Sequence, residues 1–216
     1  MSFTLAKTER LAAILAQVPV IPVLTFNDVQ SGVETAKALR DGGLTVLEIT
    51  MRTPQALDVL TAIVNEVEGV TVGAGTILEP EHVQKAIAAG AAFLVSPGSS
   101  SRLLAAGGEA PIPYLPGCST ASEAMHLAER GVTFAKFFPA GPAGGAPFLK
   151  SLVAPLPELH FVPTGGIDMG NVRDYLAIKN VVCCGGSWVA PQQAIESGDW
   201  AAIKALASEA SALKAR

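Results

Sequence analysis

One lysine, Lys136, sits in the run TFAKFFP, with Phe134, Phe137 and Phe138 around it. A segment this apolar belongs inside a protein, and burial disfavours the charged form of an amine. A neutral amine near pH 7 is what imine chemistry with a carbonyl requires. Lys136 therefore has two readings: a reactive amine, or a lysine that snorkels to an opening or pairs with an acid. Glu48 and Arg52 share a second run, TVLEITMRTP. In a strand, alternation puts Glu48, Thr50 and Arg52 on one face, so an inward Glu48 brings Arg52 to the rim. The carboxylate can exchange protons with a reacting substrate, and the guanidinium can grip a carboxylate in its fork. A structural Glu–Arg or Glu–Lys pair is the alternative.

Two glycine pairs follow, Gly165–Gly166 in VPTGGID and Gly185–Gly186 in CCGGSWV. Glycine exposes backbone N–H groups to an anion, and a helix N-terminus after it adds its dipole. Thr164 and Ser187 flank the pairs and can add hydroxyl donors. Thr76, in VGAGT, can donate to a substrate oxygen or cap a helix. Pro97, Pro116 and Pro139 each follow an apolar run and would rigidify or simply end a strand. Ser99, Ser100 and Ser101 read as a helix cap. No His/Asp/Glu set has ligand spacing, so no catalytic metal and no cofactor are expected.

The elements that must position these residues alternate along the whole chain. Short apolar runs lie at 20–24, 45–50, 70–75, 92–98, 112–117, 133–139, 160–166 and 181–187, separated by helical patterns such as PQALDVLTAIVNEV and PEHVQKAIAAG. Several patterns open on Pro, Asp or Ser and close on Gly, as helices do. Uncharged short strands bounded by Gly or Pro fit a parallel sheet covered on both faces. Eight such units at near-minimal spacing predict an α/β fold, a (β/α)8 TIM barrel over residues 1–216 as one domain, with an additional N-terminal helix. In that fold the C-terminal strand ends carry the chemistry, and the loops after strands seven and eight are the usual phosphate site. Both glycine pairs fall there.

Composition bounds the partners. Half of the 216 residues are hydrophobic and 16% are charged, with a mean hydropathy of +0.41. That supports a large core and excludes disorder. A net charge of −4 gives no bulk attraction for nucleic acid or an anionic membrane. No window reaches the roughly 20 apolar residues of a spanning helix, and the start lacks the features of a signal peptide. Cys118, Cys183 and Cys184 make no disulfide framework, which favours a reducing cytoplasm.

Taken together, GGLTVLEITMRTP, VGAGTIL, SPG, IPYLPGCSTASE, FAKFFPA, PTGGI and CCGGSW resemble, in order, the family of 2-keto-3-deoxy-6-phosphogluconate (KDPG) and 4-hydroxy-2-oxoglutarate (KHG) aldolases. The resemblance covers nearly the whole chain. It implies a class I aldolase in which Lys136 forms the Schiff base and Glu48 is the general acid/base. It further implies that Arg52 and Thr76 contact the pyruvyl carboxylate and adjacent oxygens, and that Phe138 packs beside the imine. Gly165, Gly166, Gly186 and Ser187 match the phosphate-binding positions. The implied partners are a small phosphorylated keto acid, pyruvate and two further copies of the chain in a homotrimer. Met51 and Ala135 depart from the family's usual Leu or Phe and larger apolar residue; neither exchange removes a reacting group. The GGSW ending is closer to KDPG-type members than to the phosphogalactonate-specific relatives. Rival readings are a phosphosugar isomerase with Glu48 as base, a metal-dependent aldolase, and a silent binder of a phosphorylated ligand.

Overall fold

The computed structural model describes residues 3–213. Its elements run α1 (Leu5–Leu15), β1 (Val20–Leu24), α2 (Val29–Asp41), β2 (Val46–Thr50), α3 (Ala56–Glu66), β3 (Thr71–Gly75), α4 (Pro80–Ala88), β4 (Phe93–Val95), α5 (Ser101–Glu109), β5 (Tyr114–Leu115) and β6 (Gly117–Cys118). They continue with α6 (Ala121–Glu129), β7 (Phe134–Phe137), α7 (Gly145–Ser151), β8 (His160–Pro163), α8 (Val172–Leu176), β9 (Cys184–Gly186), α9 (Gln192–Ser197) and α10 (Trp200–Ser211). All strand pairings are parallel.

β5 and β6 are two halves of one barrel strand. Pro116 lies between them rather than after the strand, and it has no N–H to give a ladder. The backbone there faces both ways: Pro113 and Leu115 carbonyls accept from Leu94 and Ser96, while Pro116 and Cys118 carbonyls accept from Lys136 and Phe138. Eight staves therefore form the ring expected from the alternation. β9 closes it by pairing with β1 and meeting β8 at the bridges Phe161↔Val181 and Thr164↔Gly185.

The helices form the outer layer, and sequence-local caps set their ends. Asp28 caps α2 by accepting from the Ser31 N–H at 2.8 Å, Thr120 and Glu123 form a capping box on α6, and Ser100 caps α5. Backbone N–H groups of Ser119 and Thr120 hold the Glu123 carboxyl below its ordinary range. The additional N-terminal helix, α1, buries Leu11, Ile14 and Leu15, the i, i+3, i+4 stripe of an amphipathic helix. Its Lys7 ammonium donates to the Gly108 and Ala110 carbonyls at the end of α5, where a cation complements the helix dipole.

The interior is a continuous apolar cluster running from Leu11 to Leu213. Among the described residues, Glu48 and Lys136 are the only buried side chains that carry charge. The three cysteines are buried free thiols, and burial pushes the Cys118 thiol up to about 12. No described helix is long and apolar enough to cross a membrane.

Candidate active site

The strand ladders bring Glu48 of β2 and Lys136 of β7 together inside the ring. Lys136 Nζ lies 3.0 Å from Glu48 Oε1 and 3.2 Å from Oε2, with each side chain 5% exposed. The burial expected of the TFAKFFP run is present, and so is the pairing of Lys136 with an acid. A buried pair is weak support for stability, because well-packed apolar residues of similar volume often serve as well. Its position in an otherwise apolar interior points instead to chemistry: an amine and a carboxylate in contact can pass a proton between them and act on a carbonyl. The Phe138 ring centroid lies 5.5 Å from Nζ, within cation–π range.

Arg52 and Thr76 meet at the rim, where Arg52 Nε donates to Thr76 Oγ1 at 3.0 Å. Arg52 reaches this place by a turn rather than by strand alternation: β2 ends at Thr50, and the Arg52 N–H folds back onto the Thr50 carbonyl at 2.9 Å. None of the described carboxylates forms an ion pair with the exposed guanidinium. Thr76 is the one non-glycine described residue in the left-handed region, at φ 59°, a conformation costing an L-residue roughly 1–2 kcal/mol. It caps no helix, since Glu79 holds the cap position of α4. Thr50, on the inward face with Glu48, donates to the Leu24 carbonyl at 3.0 Å. Its oxygen therefore accepts from Thr25, 2.7 Å away.

The Thr164↔Gly185 bridge sets the two glycine pairs side by side. Gly165 and Gly166 are both left-handed, at φ 95° and 73°. Gly166 and Ser187 are exposed, whereas Thr164 is buried. The Thr164 hydroxyl packs onto Gly185, within 2.3 Å of where a Cβ would stand, so it faces the neighbouring strand. The expected helix dipoles are absent at this position: α8 begins only at Val172 and α9 at Gln192. Backbone N–H groups and the Ser187 hydroxyl remain as the donors at this place.

His82, His126 and His160 lie on α4, on α6 and at the start of β8, away from the strand ends that carry Glu48 and Lys136. Among the described residues no group of three or more His, Cys, Asp or Glu could hold a metal. The sequence reading missed Gly75. The Glu48 side chain lies directly over it, with Oε1 at 2.2 Å from the site of a Cβ. The available signal was two glycines at period two, Gly73 and Gly75, on one face of a strand.

The family model for KDPG and KHG aldolase matches residues 11–206. The 2-dehydro-3-deoxy-phosphogluconate aldolase of Pseudoalteromonas atlantica is 47% identical over 197 residues, 91% of this chain and 92% of that protein. The KHG/KDPG aldolase of Escherichia coli K12 is 46% identical over 198 residues, 92% and 93% of the two chains. The crystal structure of KDPG aldolase from Legionella pneumophila, with pyruvate captured as a covalent carbinolamine, superposes with a TM-score of 0.91 at 41% identity, over 93% of this chain and 98% of that one. The fold, the buried amine–carboxylate pair and these matches agree: the chain belongs to the KDPG and KHG aldolase family.

Proposed function

We propose that this protein is a class I aldolase that reversibly cleaves 2-dehydro-3-deoxy-6-phosphogluconate to pyruvate and D-glyceraldehyde 3-phosphate. We infer that it also cleaves 4-hydroxy-2-oxoglutarate to pyruvate and glyoxylate. The observation that carries the reading is the buried contact of Lys136 Nζ with both oxygens of Glu48.

A proton passed from Nζ to Glu48 leaves a free amine beside a carboxylic acid. The amine adds to the C2 ketone, giving a carbinolamine. Glu48 returns its proton to the departing hydroxyl, water leaves, and a protonated imine remains as the electron sink. Glu48, again a carboxylate, takes the C4 hydroxyl proton, directly or through a water, as the C3–C4 bond breaks. The bonding pair moves into the enamine and the aldehyde departs. Glu48 then protonates C3, and hydrolysis of the imine releases pyruvate and restores Lys136.

Arg52 and Thr76 hold the pyruvyl carboxylate and adjacent oxygens, and Phe138 packs beside the imine. Gly165, Gly166, Gly186 and Ser187 receive the phosphate, with Thr164 buttressing Gly185 beneath them. The phosphate lies remote from the reacting bond, so its binding orients the chain for cleavage. The substrate places the protein in the Entner–Doudoroff route of carbohydrate metabolism. The family resemblance supports a homotrimer, and three buried free thiols suit a reducing cytoplasm.

The test is reduction with borohydride in the presence of pyruvate, followed by peptide mapping. A pyruvate-derived mass increment on Lys136 is expected; active enzyme without that increment removes the class I reading.

A further inference from the structure

Glu48 reaches Lys136 only because of what lies across from it on β3. The register partner of Glu48 is Gly73, but the space over Gly73 is taken. A Cβ there would meet the Phe93 ring at 2.3–2.6 Å, and Phe93 is fully buried. The Glu48 side chain therefore leans one step toward the strand ends and lies over Gly75, the partner of Thr50. A Cβ on Gly75 would stand 2.2 Å from Oε1, 2.6 Å from Cγ and 2.7 Å from Cδ, far inside any non-bonded separation. Oε1 is also the oxygen nearer to Lys136, at 3.0 Å.

We propose that Gly75 is a positioning residue for Glu48. The bare Cα of β3 at this point is the seat of the carboxylate, and Phe93 closes the alternative seat below it. The inference rests on the aldolase reading above. Any side chain at 75 moves the oxygen that holds the lysine, and proton transfer tolerates little displacement beyond hydrogen-bond reach.

The experiment uses the full-length chain carrying Gly75→Ala, with two readouts. Borohydride trapping of pyruvate reports imine formation at Lys136. Exchange of the pyruvate methyl hydrogens for deuterium, followed by NMR, reports proton transfer at C3 by Glu48. Trapping carried to its end point, which slower proton transfer delays but does not prevent, is expected to persist, while the rate of exchange falls about 100-fold, the scale of a misplaced catalytic group. Glu48→Asp shortens the side chain by one methylene and relieves the collision. In that background Gly75→Ala is expected to cost less than about threefold more, the non-additivity of residues in contact. Equal losses in both backgrounds, or exchange at the parental rate, overturn the proposal. If Gly75→Ala does not fold, Phe93→Leu opens the lower seat. The same selective loss of exchange is then expected, and unchanged exchange overturns the proposal. Failure of the unsubstituted protein to trap pyruvate is a separate result, which sinks the aldolase reading itself.

Discussion

The lysine end and the glycine end of the strand mouth are built on opposite plans. Glu48 and Lys136 project from within strands whose ladders fix their height and direction, and both are almost wholly buried. The glycine end consists mainly of backbone at the strand ends, with Gly185 and Gly186 closing β9 and Gly165 and Gly166 following β8, and Gly166 and Ser187 are exposed. On the proposed reading the difference follows the task. Groups that make and break bonds need separations fixed to a fraction of an ångström. An anion that only has to be held needs N–H groups, room and access to solvent.

The sharpest way to break this comparison is Lys136→Met. Imine trapping should vanish and cleavage should fall by about 10⁴-fold or more, with the circular dichroism spectrum retained. Removing one partner of a buried pair should also lower stability by roughly 3–5 kcal/mol, visible in the urea midpoint. Cleavage that survives the substitution overturns the assignment. At the glycine end, Ser187→Ala should raise KM for the phosphorylated substrate about tenfold, the worth of one hydrogen bond to a charged group. Turnover of unphosphorylated 4-hydroxy-2-oxoglutarate should be nearly unchanged; equal losses on both substrates remove the phosphate role of Ser187.

The smallest expected effect concerns Thr76, just after β3. Thr76→Gly relieves a left-handed conformation but adds freedom to the unfolded chain, a net gain of about 0.5 kcal/mol in urea unfolding. Half-maximal trapping should nonetheless need more pyruvate, because the Thr76 hydroxyl is gone and Arg52 loses its partner. A loss of stability would show instead that the Arg52 hydrogen bond outweighs the strain.

Most of the fold was legible because each strand is short, apolar and bounded by Gly or Pro, so the parallel ring follows from composition and spacing. Lys136 and Glu48 were legible for a related reason: charges in such strands have few places to go. Pro116 was not, since an apolar run looks the same whether its proline ends the strand or divides it. Alternation brings Arg52 to the rim in the sequence, whereas in the structure a turn after Thr50 carries it there. The left-handed Thr76 has no local signal, as a β-branched residue is a poor candidate for that region. Gly75 was hidden because its contribution is the absence of atoms, which matters only once Glu48 and Phe93 are known to face it. The helix dipoles anticipated behind the glycine pairs failed on boundaries: both turns run several residues before a helix begins.

The ring is not equally continuous around its circumference. β2 and β3 are laced without interruption from Val46↔Thr71 to Thr50↔Gly75, whereas β8 and β9 meet only at two separate bridges. Opening is easiest where the fewest backbone bonds must break together. The barrel therefore has a seam, and it runs up to the rim between the two glycine pairs. Among the strand amides, exchange should be fastest at Phe161 and Val182, whose N–H groups bond across the seam, and a ligand gripping both rims of that seam would act as a clasp.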